Sequence, residues 1–179
     1  MALSHAIMTA LLEESLSGYD LAKKFDMSLG FFWQASHQQI YRELKIMLER
    51  SWLSAHTVEQ AGKPNKILYA LTPEGNAALD QWLLSETKAR PAKEDLYVKL
   101  YNVGHCDPKP LAREIDERRR QYQQQLGLYL KIKERHYAEP ATLPDNRKGI
   151  YLALSAGIRQ QKMHIEWCDE ALTLLATLS

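Results

Sequence analysis

Apolar residues recur every three or four positions through the first half of the chain, with polar residues between them. This spacing places the apolar side chains on one face of an α-helix. It predicts helices over about residues 2–14, 19–25, 36–50 and 73–83. The third helix has the clearest buried stripe, which consists of Ile40, Leu44, Met47 and Leu48.

Three of these helices are preceded by a residue that can cap them. Ser17 and Ser36 stand directly before the second and third helices, where a hydroxyl oxygen accepts hydrogen bonds from free backbone amides. Thr72 is followed by Pro73, and proline is well tolerated at the first helical position. These signals place the helix starts more firmly than periodicity does.

Between the third and fourth helices the pattern changes to that of a β-hairpin. Residues 57–59 and 67–71 are strand-like. The polar tip between the strands contains Gly62, Lys63, Pro64 and Asn65. Three helices, a hairpin and a fourth helix are the order of a winged helix-turn-helix, which we predict over residues 1–88 with a two-stranded wing. This fold makes double-stranded DNA the first partner to consider.

The second half of the chain is predicted to be entirely helical. Pro91 marks a boundary, and helices are expected over about residues 95–103 and 111–137. After Pro140 and Pro144, apolar or small residues recur at alternating steps of three and four, the spacing of a helix packed along another helix. Two long helices cannot cover their own apolar stripes, so we predict a homodimerisation domain over residues 93–179. The fold class is mainly α.

The distribution of charge runs against a simple DNA-binding interpretation. The chain carries a net charge of +1, but residues 1–88 hold 8 Lys and Arg against 10 Asp and Glu. Nucleic-acid-binding domains are usually basic, because each neutralised phosphate releases counterions. A local basic face is therefore required.

That face is predicted on the third helix, opposite its buried stripe. At 100° per residue, the side opposite the stripe carries Gln38, Arg42, Lys45 and Glu49. Arg and Gln can each make paired hydrogen bonds to base edges in the major groove. Residues at the start of the helix would contact phosphate, and the lysines of the wing would contact the backbone or the minor groove. The full set of candidate DNA-binding residues is Ser36, His37, Gln38, Gln39, Tyr41, Arg42, Lys45, Lys63 and Lys66. Tyr41 lies on the flank of the helix and could instead pack against the wing.

Nothing in the pattern indicates an enzyme, a metal or a cofactor. His164 and Cys168 are one turn apart on the last helix, but further donors at matching spacing are missing, so packing is the simpler interpretation. The two cysteines have no disulfide framework, and no apolar run approaches the ~18 residues of a spanning helix. We expect a cytoplasmic protein.

The second half also has an unusual number of aromatic residues. Seven of them are Tyr97, Tyr101, Tyr122, Tyr129, Tyr137, Tyr151 and Trp167. They could line a pocket for a small aromatic effector. At helical spacing they are more often part of a core or a dimer interface.

An ordered set of residues in the first half resembles the PadR-like transcriptional regulators. They are Gly18, Tyr19, Asp20 and Leu21; Ile40, Tyr41, Arg42, Glu43 and Leu44; Gly62, Lys63 and Pro64; and Tyr69, Leu71, Thr72, Pro73, Glu74, Gly75 and Trp82. The layout of the second half is similar to the helical domain of the virulence-activator subgroup. The chain departs from the family pattern in the turn after the third helix, where glycine is common and this chain has Arg50, Ser51 and Trp52, and at Asn65, where a small hydroxyl residue is common.

The resemblance implies a homodimeric transcription factor whose two recognition helices enter successive major grooves of a pseudo-palindromic operator. Some members of the family respond to phenolic or planar compounds, so the resemblance also implies a possible effector. Two alternatives remain open at the level of sequence. One is a repressor gated by a small aromatic molecule, and the other is a winged-helix module that binds protein instead of DNA.

Overall fold

The computed structural model describes residues 2–27, 33, 35–59, 65–88 and 94–178 of the chain. The chain forms two compact units, Met1–Lys88 and Ala89–Ser179. Each unit has its own cluster of buried hydrophobic side chains.

The described residues of unit 1 form four helices and a small antiparallel sheet. The helices are α1 (Ala2–Leu11), α2 (Gly18–Met27), α3 (His37–Glu49) and α4 (Pro73–Leu83), and the strands are β1 (Leu16–Ser17), β2 (Leu53–Val58) and β3 (Lys66–Leu71). The predicted helices are all present. The first ends at Leu11, three residues earlier than periodicity suggests, and the chain then turns into β1.

The sheet has one strand more than the predicted two-stranded wing. Its order is β1-β3-β2, with β3 in the centre. β1 pairs with β3 through Leu16 opposite Tyr69 and Ser17 opposite Leu68. Two residues are too short to show an alternating pattern, so β1 has no signal in the sequence. Its pairing attaches the start of α2 directly to the wing.

The core of unit 1 lies between the helices and one face of the sheet. The apolar stripe of α3, formed by Ile40, Leu44 and Met47, is buried against α1, α2 and β2. Phe25 of α2 and Leu79 of α4 are also almost completely buried in this cluster. Burial of this kind contributes roughly 1.5–3 kcal/mol for each large apolar side chain.

A stack of rings joins α1 to α4. The buried His5 ring lies parallel to the Trp82 ring with 4.4 Å between centroids, and it also approaches Trp52 at 6.4 Å. The Arg50 guanidinium lies over the Trp52 ring at 4.9 Å from its centroid. These contacts fix the segment that leads from α3 into β2.

The turn after α3 has the hydrogen bonds of a Schellman motif. The Trp52 amide donates to the Met47 carbonyl and the Ser51 amide to the Leu48 carbonyl, both at 2.9 Å. Ser51 therefore takes a φ of 57°, in the left-handed region that favours glycine. The departure from the family pattern at this position is thus a serine in a conformation suited to glycine.

The start of α4 packs against the same turn. Thr72 caps the helix by accepting a hydrogen bond from the Gly75 amide at 3.0 Å, and its hydroxyl donates to the Ser51 carbonyl at 2.7 Å. Gly75 lies so close to Trp52 that a Cβ there would overlap the Trp52 carbonyl oxygen. The predicted cap is confirmed, and Gly75 is required by this close approach.

Unit 2 is helical throughout its described residues. It contains α5 (Asp95–Tyr101), α6 (Pro108–His136) and α7 (Asp145–Leu175), with short 3-10 turns at Val103–His105 and Pro140–Thr142. The last helix begins directly after Pro144, where the sequence places the end of a loop. The helix predicted from residue 111 begins three residues earlier, at Pro108, and Asp107 caps it.

Helices α6 and α7 pack along each other. Leu111 and Ile115 of α6 are buried with Cys168 and Leu175 of α7, and Leu96 of α5 joins them. Farther along, a Cβ on Gly157 would lie 3.0 Å from the buried Tyr129 ring, so the two helices approach closely at this point. The α7 positions belong to the predicted stripe of the last helix.

Ion pairs link the outer surfaces of unit 2. The Arg118 guanidinium lies 2.8 Å from Glu94 and 3.0 Å from Glu114. Arg119 pairs with Asp169 of α7 at 2.7 Å. Because these groups are partly solvated, each pair contributes little to stability.

None of the described helices combines the length and the hydropathy that crossing a lipid bilayer requires.

We predict that Ser51→Gly stabilises the protein by about 1 kcal/mol, because glycine has no Cβ to strain the left-handed conformation. The free energy of unfolding in urea measures this change. Ser54→Gly in β2 is the matched control, and it should destabilise the protein because glycine weakens a strand interior. Equal effects at both positions would contradict the assigned strain.

Candidate nucleic-acid interface

The first turn of α3 is held by a reciprocal capping box. The Gln39 amide donates to the Ser36 hydroxyl oxygen at 3.2 Å, and the Ser36 amide donates to Gln39 Oε1 at 2.8 Å. The cap fixes where the helix begins and uses both side chains. The remaining amides of the first turn face outward with the positive end of the helix dipole.

The face of α3 opposite the buried stripe is polar and open to solvent. Every predicted DNA-binding residue of this helix is exposed, namely Ser36, His37, Gln38, Gln39, Tyr41, Arg42 and Lys45. Within the described part of the chain, neither Arg42 nor Lys45 forms an ion pair. We call this surface the α3 outward face. It presents two cations and three amide or imidazole side chains on one rigid helix.

The back of α3 is locked by a polar contact as well as by its apolar stripe. The Ser4 hydroxyl, which is buried in α1, donates a short hydrogen bond to the Glu43 carboxylate. Breaking this contact would leave the buried Ser4 hydroxyl without the Glu43 carboxylate as its acceptor, so the contact opposes rotation of α3 about its axis. The contact also engages the carboxylate of Glu43, which is one of the acidic residues of α3.

Tyr41 packs against the start of α2 and lines a cleft. A Cβ at Gly18 would overlap its ring, so glycine is needed for this packing, yet the Tyr41 side chain remains 49% exposed. The open cleft has a volume of about 590 Å³. Its lining consists of Ser17, Gly18, Tyr19, Asp20, Tyr41, Asn65, Lys66, Ile67 and Tyr69. We call it the wing-base cleft.

The phenol of Tyr69 remains a hydrogen-bond donor in this cleft. Burial raises the pKa of Tyr69, and the neighbouring Tyr41 raises it further. The hydroxyl of Tyr69 is therefore protonated at neutral pH. It gives the cleft a neutral donor next to the α3 outward face.

The wing meets this cleft through an ion pair. Lys66 Nζ, at the start of β3, lies 2.7 Å from Asp20 Oδ2 on α2. The hydrogen bond from Lys66, and then that from Ser17, lower the pKa of Asp20. Lys66 is thus placed beside the α3 outward face but is engaged by an acid. Lys63, with the predicted tip residues Gly62 and Pro64, lies outside the described residues.

Family comparisons match each unit separately. Residues 7–81 match the model of the transcriptional regulator PadR-like family, and residues 92–176 match the model described as virulence activator alpha C-term. A "Probable transcriptional regulator" of Mycobacterium tuberculosis is 38% identical over 180 residues, which cover 95% of each chain. The chain belongs to the PadR-like family of transcriptional regulators.

Solved structures extend this relationship to the whole PadR-like chain. The Vibrio cholerae virulence activator AphA is 29% identical, covers 99% of each chain and has a TM-score of 0.82. Bacillus subtilis PadR in complex with operator DNA is 27% identical, covers 98% of this chain and 99% of that chain, and has a TM-score of 0.79. The same protein in complex with p-coumaric acid has a TM-score of 0.75 at 25% identity. The predicted family, fold class and regulatory role are confirmed.

For several residues at or behind the candidate interface, no pattern in the sequence predicts the contact that they make. Ser4 and Glu43 form the contact behind α3, and Asp20 engages Lys66. In the sequence, Asp20 stands out only as part of the family pattern. Its partner lies 46 positions away, so no local spacing connects the two residues.

The aromatic residues of unit 2 mostly pack against other rings. Tyr122 stacks on His164 with 4.7 Å between centroids, and Tyr97 meets Trp167 edge to face at 5.9 Å. Tyr137 lies near Tyr151 at 6.2 Å. These contacts support the packing interpretation of the aromatic residues.

The described residues do not support a metal site. They contain no group of three or more His, Cys, Asp and Glu side chains placed to hold an ion. His164 stacks on Tyr122, while Cys168 is buried and burial raises the pKa of its thiol. Cys168 therefore behaves as an apolar core residue.

We predict that Ser36→Ala lowers the free energy of unfolding by about 1 kcal/mol, because the first turn of α3 loses its cap. Thermal denaturation measures the loss. Ser36→Thr, which keeps a hydroxyl at the same position, should retain most of the stability. If both variants behave alike, the hydroxyl is not the source of the stabilisation.

Proposed function

We propose that the protein binds double-stranded DNA sequence-specifically as a homodimer and regulates transcription from the bound operator. The observation that carries this proposal is the α3 outward face, a capped helix whose exposed residues include the cations Arg42 and Lys45. The operator complex of the similar Bacillus subtilis PadR supports the same partner. A regulator of this kind would act in the cytoplasm.

On this proposal, α3 enters the major groove and its outward face contacts the bases. Arg42 would donate two hydrogen bonds to guanine, and Gln38 would pair with adenine. Lys45 lies one turn from Arg42 and would contact a base edge or a phosphate. Because the stripe behind them is buried, these side chains would approach the groove at a fixed angle.

The start of α3 and its flank would hold the DNA backbone. The cap engages both the side chains and the backbone amides of Ser36 and Gln39, so their contribution would be to hold the first turn of α3 in place against the DNA. His37 and the hydroxyl of Tyr41 would reach the same strand. Lys63, between β2 and β3 in the sequence, would contact the backbone or the minor groove. The sequence predicts the same contact for Lys66, but Lys66 is engaged by Asp20, so the proposed function does not depend on a DNA contact from Lys66.

The exposed apolar residues of unit 2 support a homodimer. Large hydrophobic side chains remain exposed on both long helices, including Leu128, Leu130, Ile150, Leu152, Met163 and Leu174. A second copy would cover such stripes with the same surface, as two-fold symmetry requires. Two symmetric copies would present two recognition helices, and the operator would be a pseudo-palindrome.

The net negative charge of the first unit is less of an obstacle than composition suggests. Glu14 pairs with Lys24 at 3.1 Å, Asp20 pairs with Lys66, and Glu43 accepts a hydrogen bond from Ser4. Pairing with Lys24 and Lys66 leaves the net charge of the unit unchanged, but the α3 outward face itself carries Arg42 and Lys45 against the one exposed acid Glu49 and is therefore locally basic. The operator complex of the similar Bacillus subtilis PadR also favours DNA over the alternative of a module that binds only protein.

A small aromatic effector is a secondary proposal. Bacillus subtilis PadR in complex with p-coumaric acid supports it, whereas the ring packing in unit 2 does not. Titration of the protein–operator complex with p-coumaric acid measures the effect directly. Release of the duplex would support gating by a phenolic acid, and unchanged affinity at millimolar ligand would reject it for this compound.

The proposed function is tested by selecting bound duplexes from a random pool and measuring their affinity across a salt series. We expect a pseudo-palindromic site, one dimer per duplex and an affinity that falls linearly with salt on logarithmic axes. We then expect Arg42→Ala to cost about 1–3 kcal/mol on this site and to relax its specificity at one base pair.

Two variants show whether that loss is specific. Lys63→Ala should weaken all sequences alike and reduce the salt slope by about 1, as expected for a phosphate contact. Arg50→Ala is the matched control, because Arg50 lies over Trp52 at the end of the same helix. Unchanged specificity of Arg42→Ala, or no salt-dependent duplex binding at all, would contradict the proposal.

A further inference from the structure

We propose that Asp20 is a positioning residue that retains Lys66 on the protein, so that this lysine does not neutralise a DNA phosphate. The inference rests on the proposed function and deepens it. According to this inference, Asp20 limits the part of the DNA affinity that does not depend on base sequence.

The sheet places the two residues together. β1 pairs with the middle of β3, Ser17 opposite Leu68, and Lys66 lies two residues before Leu68 on the same strand. Asp20 lies three residues after Ser17, in the first turn of α2. The backbone ladder therefore fixes how far apart the backbones of the two residues lie, at a separation that the two side chains can bridge.

The Ser17 hydroxyl holds the Asp20 carboxylate in place through two hydrogen bonds to the same residue. Asp20 Oδ2 accepts a hydrogen bond from the Ser17 hydroxyl at 2.7 Å, while the Asp20 backbone amide donates to the same hydroxyl oxygen at 3.2 Å. The first turn of a helix also favours a negative charge. Asp20 is thus a fixed partner, and a phosphate would have to compete with it for Lys66.

The pair is partly shielded from solvent. The side chains of Lys66 and Asp20 are 37% and 34% exposed, and both line the wing-base cleft beside Tyr41. Partly buried pairs are screened by salt less than exposed ones. The cleft consequently presents a neutral surface next to the α3 outward face, although it contains a lysine.

If Lys66 does not contact a DNA phosphate, the effect on DNA affinity can be measured. The salt slope is about −0.9 for each neutralised phosphate on duplex DNA. At 0.15 M salt one additional contact therefore increases affinity by up to about fivefold, whatever the sequence. With Lys66 retained, a larger share of the affinity comes from base contacts.

The test is a double-mutant cycle on full-length protein with Asp20→Asn, Lys66→Gln and the double variant. Affinity for a random-sequence duplex is measured at salt concentrations from about 0.05 to about 0.3 M. This roughly sixfold range is wide enough to resolve the slope of log affinity against log salt. Asn at position 20 can still accept the Ser17 hydrogen bond, and thermal denaturation checks the fold of each variant. Glu14→Gln, which breaks the Glu14–Lys24 pair in the same unit, is the matched control.

We expect Asp20→Asn to bind random duplex up to about fivefold more tightly and to make the salt slope steeper by about 0.9. Lys66→Gln alone should leave the slope of the native protein unchanged. The double variant should lose the gain, because the released cation is gone. Glu14→Gln should alter the slope by much less than Asp20→Asn.

Two results would overturn the inference while leaving the proposed function intact. A slope reduced by about 0.9 in Lys66→Gln would mean that Lys66 already contacts phosphate. A gain from Asp20→Asn that persists in the double variant would mean that Asp20 acts by repulsion alone. If Asp20→Asn is unstable, Lys66→Gln still decides the question. Absence of salt-dependent binding by the native protein would reject the proposed function itself.

Discussion

Burial of the α3 stripe is the constraint on which the rest of unit 1 depends. Ile40, Leu44 and Met47 are enclosed by α1, α2 and β2, which leaves one orientation for the opposite face of the helix. The Ser4–Glu43 hydrogen bond and the cap at Ser36 reinforce that orientation from behind and from the end. A side chain that contacts a base gains specificity only when its position is fixed in this way.

The central position of β3 ties the wing to the helices. β3 pairs with β2 on one side and with the two-residue β1 on the other, so the base of the wing is continuous with the start of α2. Tyr41, Tyr69 and the Asp20–Lys66 pair meet at this junction. The polar chemistry beside the recognition helix is therefore determined by sheet pairing as much as by the helix itself.

Unit 2 uses its aromatic residues in a different way. The rings of Tyr122 and His164 stack, and Tyr129 packs closely against Gly157. These contacts hold α6 and α7 together, while large aliphatic side chains such as Leu152 remain exposed. The division between packed aromatics and exposed aliphatics is consistent with a domain whose outer stripes would be covered by a second copy.

The sequence by itself determined the helices, the caps at Ser36 and Thr72, and the exposed face of α3, because helical periodicity and capping depend on residues within one or two turns. The tertiary structure alone decided the third strand and the partners of Glu43 and Asp20. Those features arise from backbone pairing and side-chain contacts between distant segments. A lysine such as Lys66 looks like any exposed cation in the sequence, and only the fold brings the acid that engages it.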